Sequence, residues 1–191
     1  ELAHTPEELC QYMSDTKTVN PESIFELMFD QFASEYPSSR VPARFYVNWP
    51  VNKYASVGDF VYDHEYYIYN ETIRKMYTGN DTRLQAFFYK FEETSLESSE
   101  YYTGYAYLYK WRKGLYVASS WSPSGESFSA FDANYCYWRL ADIYLLRAEC
   151  YAKLGDDRAE DDLNKIRERA GASLYPATGD DNLQYAIFKE R

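Results

Sequence analysis

Nowhere in the 191-residue sequence do about 18 apolar residues run together, so no segment is built to cross a membrane as a helix. Histidine is scarce, with only His4 and His64. Asp63-His64-Glu65 could be written as an acid–base or metal cluster, but it has no partner His at helical spacing and reads as a hydrogen-bonded loop histidine. Cysteine is scarce too: Cys10, Cys136 and Cys150 are an odd set without C-x-x-C spacing, which excludes a disulfide framework and a zinc pattern. Cys136 and Cys150 lie in apolar patterns and read as small core residues. Gly-x-Ser-x-Gly, His-Glu-x-x-His, Gly-x-Gly-x-x-Gly and the phosphate loop are all missing. No catalytic residue, metal site or cofactor is therefore expected.

Positive charge is also short, at 20 Lys and Arg against 30 Asp and Glu, a net charge of -10. Such a surface repels phosphate backbones, which excludes nucleic acid as a partner, and it offers no basic patch to anionic lipid. Glu1-Leu2-Ala3-His4 has no signal-peptide features. With no initiator Met and an end at Phe188-Lys189-Glu190-Arg191 inside a helical pattern, the sequence reads as a piece of a longer protein.

What the sequence has in excess is tyrosine: 22 Tyr, with 11 Phe and 4 Trp, bring aromatics to 19%. Tyrosine is apolar along its ring and polar at its tip, which suits half-buried strands and binding faces alike. Thr5-Pro6-Glu7-Glu8 predicts a helix start with a capping box, and the helix runs to about Met13. Ile24 to Phe32 fits a strand or a helix. From Tyr36 to Asp63, Pro, Ser, Asn and isolated aromatics show no period and predict a long ordered loop. Asn70 to Tyr77 reads as a short helix. Phe87, Tyr89 and Phe91, and then Tyr101 to Trp111, alternate as strands do. Ser119 to Asn134 reads as a second irregular stretch.

The last third is periodic. Tyr137, Leu140, Ala141, Tyr144, Ala148, Tyr151 and Ala152 recur at three-four spacing, and Ile143, Leu146, Cys150 and Leu154 widen the stripe. That predicts a helix buried on more than one side and ended by Gly155. Asp156 or Asp157 then caps a helix with Ala159, Leu163, Ile166 and Ala170 inward and the charge pairs Arg158–Asp162 and Asp161–Lys165 outward, before Gly171. Asp180 or Asp181 opens a third helix through Leu183 and Ile187. The first two form a tetratricopeptide-like hairpin, which cannot bury its faces alone. The fold class expected is mainly α, with long loops and a small antiparallel β element. One region, 1–191, divides into a loop- and strand-rich part, 1–134, and a helical part, 135–191.

Tyr137-Trp138-Arg139-Leu140-Ala141-Asp142-Ile143-Tyr144-Leu145-Leu146-Arg147-Ala148-Glu149, then Lys153-Leu154-Gly155 and Asp162 to Gly171, closely resembles the carboxy-terminal signature of SusD/RagB proteins. Collinear with it, Glu22-Ser23-Ile24-Phe25-Glu26, Asp81-Thr82-Arg83-Leu84, Tyr109-Lys110-Trp111-Arg112 and Ile187-Phe188-Lys189-Glu190-Arg191 resemble shorter family elements. The resemblance implies a SusD-like architecture within a cell-surface lipoprotein of the outer membrane, anchored by a lipid outside this fragment. It implies capture of nutrients, usually glycans, for a SusC-like TonB-dependent transporter, without catalysis. In that reading Arg139, Asp142, Arg147 and Glu149 are paired scaffold charges.

A sugar presents apolar C–H faces that stack on aromatic rings and hydroxyls that need polar partners. Exposed loop aromatics are the natural platforms, so the expected ligand-binding residues are Trp49, Tyr54, Tyr66, Tyr67 and Trp121, with Asn48 and Asn52 for the hydroxyls. Two other classes stay open: a fragment of a glycan-processing enzyme using a carboxylate pair among the 30 acids, and a tetratricopeptide-type protein-interaction module.

Overall fold

The computed structural model of the chain describes residues 1–14, 19–27, 68–77, 80–88, 91, 105–106, 110, 115–118, 126–130, 134–177 and 182–191. In chain order the elements are α1 (Pro6–Ser14), β1 (Ser23–Leu27), β2 (Ile68–Tyr69), α2 (Asn70–Met76), α3 (Arg83–Phe87), β3 (Tyr105–Ala106), β4 (Leu115–Ala118), β5 (Glu126–Ala130), β6 (Tyr135–Arg139), α4 (Leu140–Leu154), α5 (Arg158–Arg169) and α6 (Leu183–Glu190). The fold is mainly helical. Among the described residues its strands pair only in antiparallel twos: β1 with β6, β2 with β3, and β4 with β5.

Small residues let α4, α5 and α6 approach closely. Ala141, Leu145 and Ala148 of α4 bury against Ala159, Leu163 and Ile166 of α5 and Ala186 and Ile187 of α6. Gly155 ends α4 in the left-handed conformation, φ 70°, which only glycine adopts without strain. Asp156 rather than Asp157 satisfies the start of α5, accepting the Arg158 N–H at 3.0 Å. Asn182 caps α6 by accepting the Tyr185 N–H at 2.8 Å; Asp180 and Asp181, expected to open it, lie outside the described residues. At the amino end, Thr5 Oγ1 accepts the Glu8 N–H at 3.1 Å, and the Glu8 carboxylate reaches back to accept the His4 N–H.

The ion pairs of the hairpin differ from those expected at i,i+4. Arg158 turns back onto Asp156, and Lys165 donates to the Tyr144 hydroxyl at 3.1 Å. Asp162 instead receives a two-pronged bond from Arg147 of α4, at 2.7 and 2.8 Å. The Arg158 fork is already engaged by Asp156, and the Arg147 fork matches the Asp162 carboxylate in two bonds across the helix pair.

Four further sequence expectations are corrected. Tyr137 belongs to strand β6, and the helix begins three residues on, where Asp142 accepts the Arg139 N–H at 3.1 Å. Phe87 closes helix α3 instead of starting a strand, because Asp81 accepts the Arg83 N–H at 3.0 Å and winds the chain; Phe88 and Phe91 are the rings that bury, beside Ile73. Residues 126–130 form β5, defined by backbone bonds to β4 rather than by any local alternation. The outer stripe of α4 is not buried among the described residues: Ile143, Leu146 and Cys150 are exposed and Leu154 is 80% exposed, since α5 and α6 cover only the opposite side.

The motif charges meet in space. Glu22 is fully buried, accepts the Ala3 N–H at 2.9 Å and pairs with Arg139 and Arg169. Glu190 pairs with Arg83 and with Arg167, the latter at 2.6 Å. Residues far apart in sequence thus lock β1, β6, α3, α5 and α6 to one another.

Candidate functional site

Strands β1 and β6 form a ribbon whose register shifts on either side of Phe25. A bulge of that kind re-aims side chains. The consecutive residues Tyr137 and Trp138 consequently both reach Phe25, with ring centroids 6.2 and 5.8 Å away. Tyr137 meets Trp138 edge-on at 5.4 Å and Tyr135 at 6.2 Å. These separations are those of favourable aromatic pairs, so the cluster holds its own shape. It is also open: Phe25 is 47%, Tyr137 55% and Trp138 54% exposed. Asn134 donates to Glu26 at 3.2 Å on the same ribbon, placing an amide and a carboxylate near the rings.

Chemically this surface can stack and hydrogen-bond. The one thiol on it is a poor nucleophile, because burial pushes the Cys136 thiol up. Among the described residues no group of three His, Cys, Asp or Glu side chains could hold a metal ion. No described helix is long and apolar enough to cross a membrane.

A second concavity, about 540 Å³, opens where the α4–α5 turn meets the start of α6. Gly155, Asp156, Asp157, Glu160, Asn182 and Gln184 line it. The Asp156 carboxyl is held down to about 2, first by the Arg158 side chain and then by the Arg158 N–H, so it is a committed ion-pair partner.

Trp49, Tyr54, Tyr66, Tyr67, Trp121, Asn48 and Asn52 lie outside the described residues, as does His64. In sequence, Leu27 at the end of β1 leads into 28–67, which carries all of these except Trp121, and Trp121 falls between β4 and β5. Sequence reasoning counted Tyr137 and Trp138 as helix and scaffold and missed their exposure. The available signal was Tyr135-Cys136-Tyr137-Trp138, a β-favouring run directly before Leu140.

Among proteins of known family, the model of the SusD family matches residues 21–191. No curated protein matches the chain. A SusD homologue from Bacteroides thetaiotaomicron VPI-5482 superposes with a TM-score of 0.65 at 19% identity, covering 100% of this chain and 37% of its own. Surface glycan-binding protein A from Bacteroides uniformis gives 0.63 at 19% identity, with 100% and 37% covered. Surface glycan-binding protein A from Bacteroides thetaiotaomicron, in complex with laminarihexaose, gives 0.62 at 19% identity, with 100% and 43% covered. The chain thus spans about two fifths of the length of these structures.

Proposed function

The chain belongs to the SusD family, and on that premise we propose that it is part of a cell-surface protein that captures glycans, passes them to a TonB-dependent outer-membrane transporter and does not transform them. What carries the reading is that a protein of this fold has been solved in complex with laminarihexaose. The exposed Phe25–Tyr137–Trp138 cluster supports it, because such rings offer the apolar platforms that sugar faces need. In this proposal Trp49, Tyr54, Tyr66, Tyr67 and Trp121 stack on sugar rings, Asn48 and Asn52 serve hydroxyls, and Trp138 extends the platform.

The test is a titration of the full-length protein with a panel of oligosaccharides, laminarihexaose included, following Trp fluorescence and weighing each glycan afterwards by mass spectrometry. Saturable binding with every glycan recovered intact supports capture. Shortened products overturn the non-catalytic reading, and silence across the panel overturns glycan capture itself.

A further inference from the structure

One carboxylate on the aromatic ribbon has no counter-charge among the described residues. The Glu26 side chain has a single polar partner there, the Asn134 amide, which donates to its Oε2 at 3.2 Å. No described lysine or arginine pairs with it, and Arg139, at the end of β6, is engaged by Glu22 and Asp142. An ionised carboxylate accepts about four hydrogen bonds and donates none. Asn134 takes one of those places, and the Glu26 Oε1 is bonded to no described residue.

The strand register sets where that carboxylate stands. Glu26 lies opposite Cys136, and Phe25 lies opposite Trp138. Paired residues share a face of the ribbon, and alternation along β6 returns Trp138 to the face of Cys136. Glu26 is therefore the diagonal neighbour of Trp138, a relationship that spans about 7–8 Å and lies within reach of long side chains. Trp138 is exposed and Glu26 is half-buried. A stacking ring and a carboxylate without a counter-charge thus stand side by side.

We propose that Glu26 accepts sugar hydroxyls at the Trp138 ring, and that it makes this platform select neutral glycans against those carrying carboxylate or sulfate groups. The inference rests on the glycan-capture reading above. A sugar stacked on Trp138 shields the neighbouring carboxylate from water, so the ligand must replace the hydrogen bonds that water made. Hydroxyls do so in charge-assisted bonds, roughly twice as strong as neutral ones. An anionic group in the same place has no proton to give, leaves Glu26 unsatisfied and adds like-charge repulsion.

The experiment measures Kd on the full-length protein and on Glu26→Gln, which keeps the side-chain length and an oxygen for Asn134. The probes are the neutral oligosaccharide that binds tightest in the panel, laminarihexaose included, and the same oligosaccharide with its primary hydroxyls oxidised to carboxylates. In the unmodified protein at low salt the neutral probe is expected to bind at least about threefold tighter. In E26Q the two affinities should move in opposite directions. The neutral probe loses roughly fivefold, the step from a charge-assisted to a neutral hydrogen bond. The oxidised probe gains about threefold, and that gain should shrink as salt rises and the Debye length falls to about 10 Å at 0.1 M. A residue that only held the ribbon in shape would move both probes the same way. Equal affinity for the two probes in the unmodified protein overturns the selectivity, and a parallel change or no change in E26Q overturns the role of Glu26. Either failure leaves glycan capture standing, whereas silence towards every neutral oligosaccharide overturns capture and this inference together.

Discussion

Glu22 and Arg169 stand 147 positions apart in sequence and are bonded directly in the fold, Arg169 Nη1 donating to the Glu22 carboxylate. The same carboxylate takes the Ala3 N–H at 2.9 Å and Arg139 at 3.5 Å, so one fully buried side chain joins the amino end, β6 and the end of α5. Removing one partner of a buried pair leaves the other charge uncompensated, which costs about 3–5 kcal/mol. Glu22→Ala is expected to destabilise the protein by that amount in urea unfolding. A loss below about 1 kcal/mol would mean that water solvates both arginines and that the hub contributes nothing specific.

The two helix-ending glycines separate conformational strain from crowding. Gly155 has φ +70°, and a Cβ there would meet nothing within 4 Å. Gly171 has φ +67°, but a Cβ there would lie 3.0 Å from the carbonyl oxygen of Asn80, and two residues on the Thr82 N–H donates to the Ala170 carbonyl at 2.8 Å. Gly155→Ala should therefore cost only the left-handed penalty, roughly 1–2 kcal/mol. Gly171→Ala should cost measurably more, because backbone must move as well. Equal losses in parallel denaturation curves would mean that the α3 attachment yields without cost.

These positions also mark where the sequence was legible. The hairpin could be read because its apolar residues repeat at helical spacing and Gly155 stops it; Ala141, Ala148, Ala159 and Leu163 are buried as the period requires. The motif charges could be expected to pair, yet their partners could not be named. Arg147 finds Asp162, and Arg139 and Arg169 share Glu22, across separations that no local rule spans. The start of α4 was misread because Tyr137 fits the helical period while the ribbon with β1 claims it for a strand. Of the candidate site, the reasoning from exposed loop aromatics reached residues outside the described set, whereas the ribbon aromatics were hidden inside a motif read as scaffold.

If glycans stack on the named rings, single aromatic-to-alanine changes should weaken binding without unfolding the protein. Stacking pairs contribute about 0.5–1.5 kcal/mol beyond area, or roughly two- to tenfold in Kd. Trp49→Ala, Tyr54→Ala, Tyr66→Ala, Tyr67→Ala and Trp121→Ala are expected to fall in that range by titration with the best glycan of the panel. Trp138→Ala is expected to do the same with little change in Tm, since the ring is more than half exposed. Normal affinity in all five loop variants would sink the loop assignment, and normal affinity in W138A would confine the ribbon to a structural role.

Acid should act on the α4–α5 turn in a defined window. In the folded protein the Asp156 carboxyl sits near 2 rather than 3.8, chiefly because the Arg158 side chain bonds its ionised form and secondarily because the Arg158 N–H does. A carboxyl whose folded value lies below its unfolded value binds protons more readily when unfolded, so its contribution to stability is complete above the unfolded value. That contribution is lost as pH falls from about 4 towards about 2. Many carboxylates titrate in the same range, so the comparison must be a difference: urea midpoints of the unmodified protein and of Asp156→Asn, measured from about pH 5 to about pH 2. The unmodified protein should be the more stable at the upper end, with the gap closing steadily towards the lower end and nowhere reversing. Side-chain carboxyl NMR gives the direct reading, with Asp156 titrating near 2; a midpoint at the ordinary 3.8 would mean that the Arg158 fork is open in solution and that the gap between the two proteins should vanish at every pH.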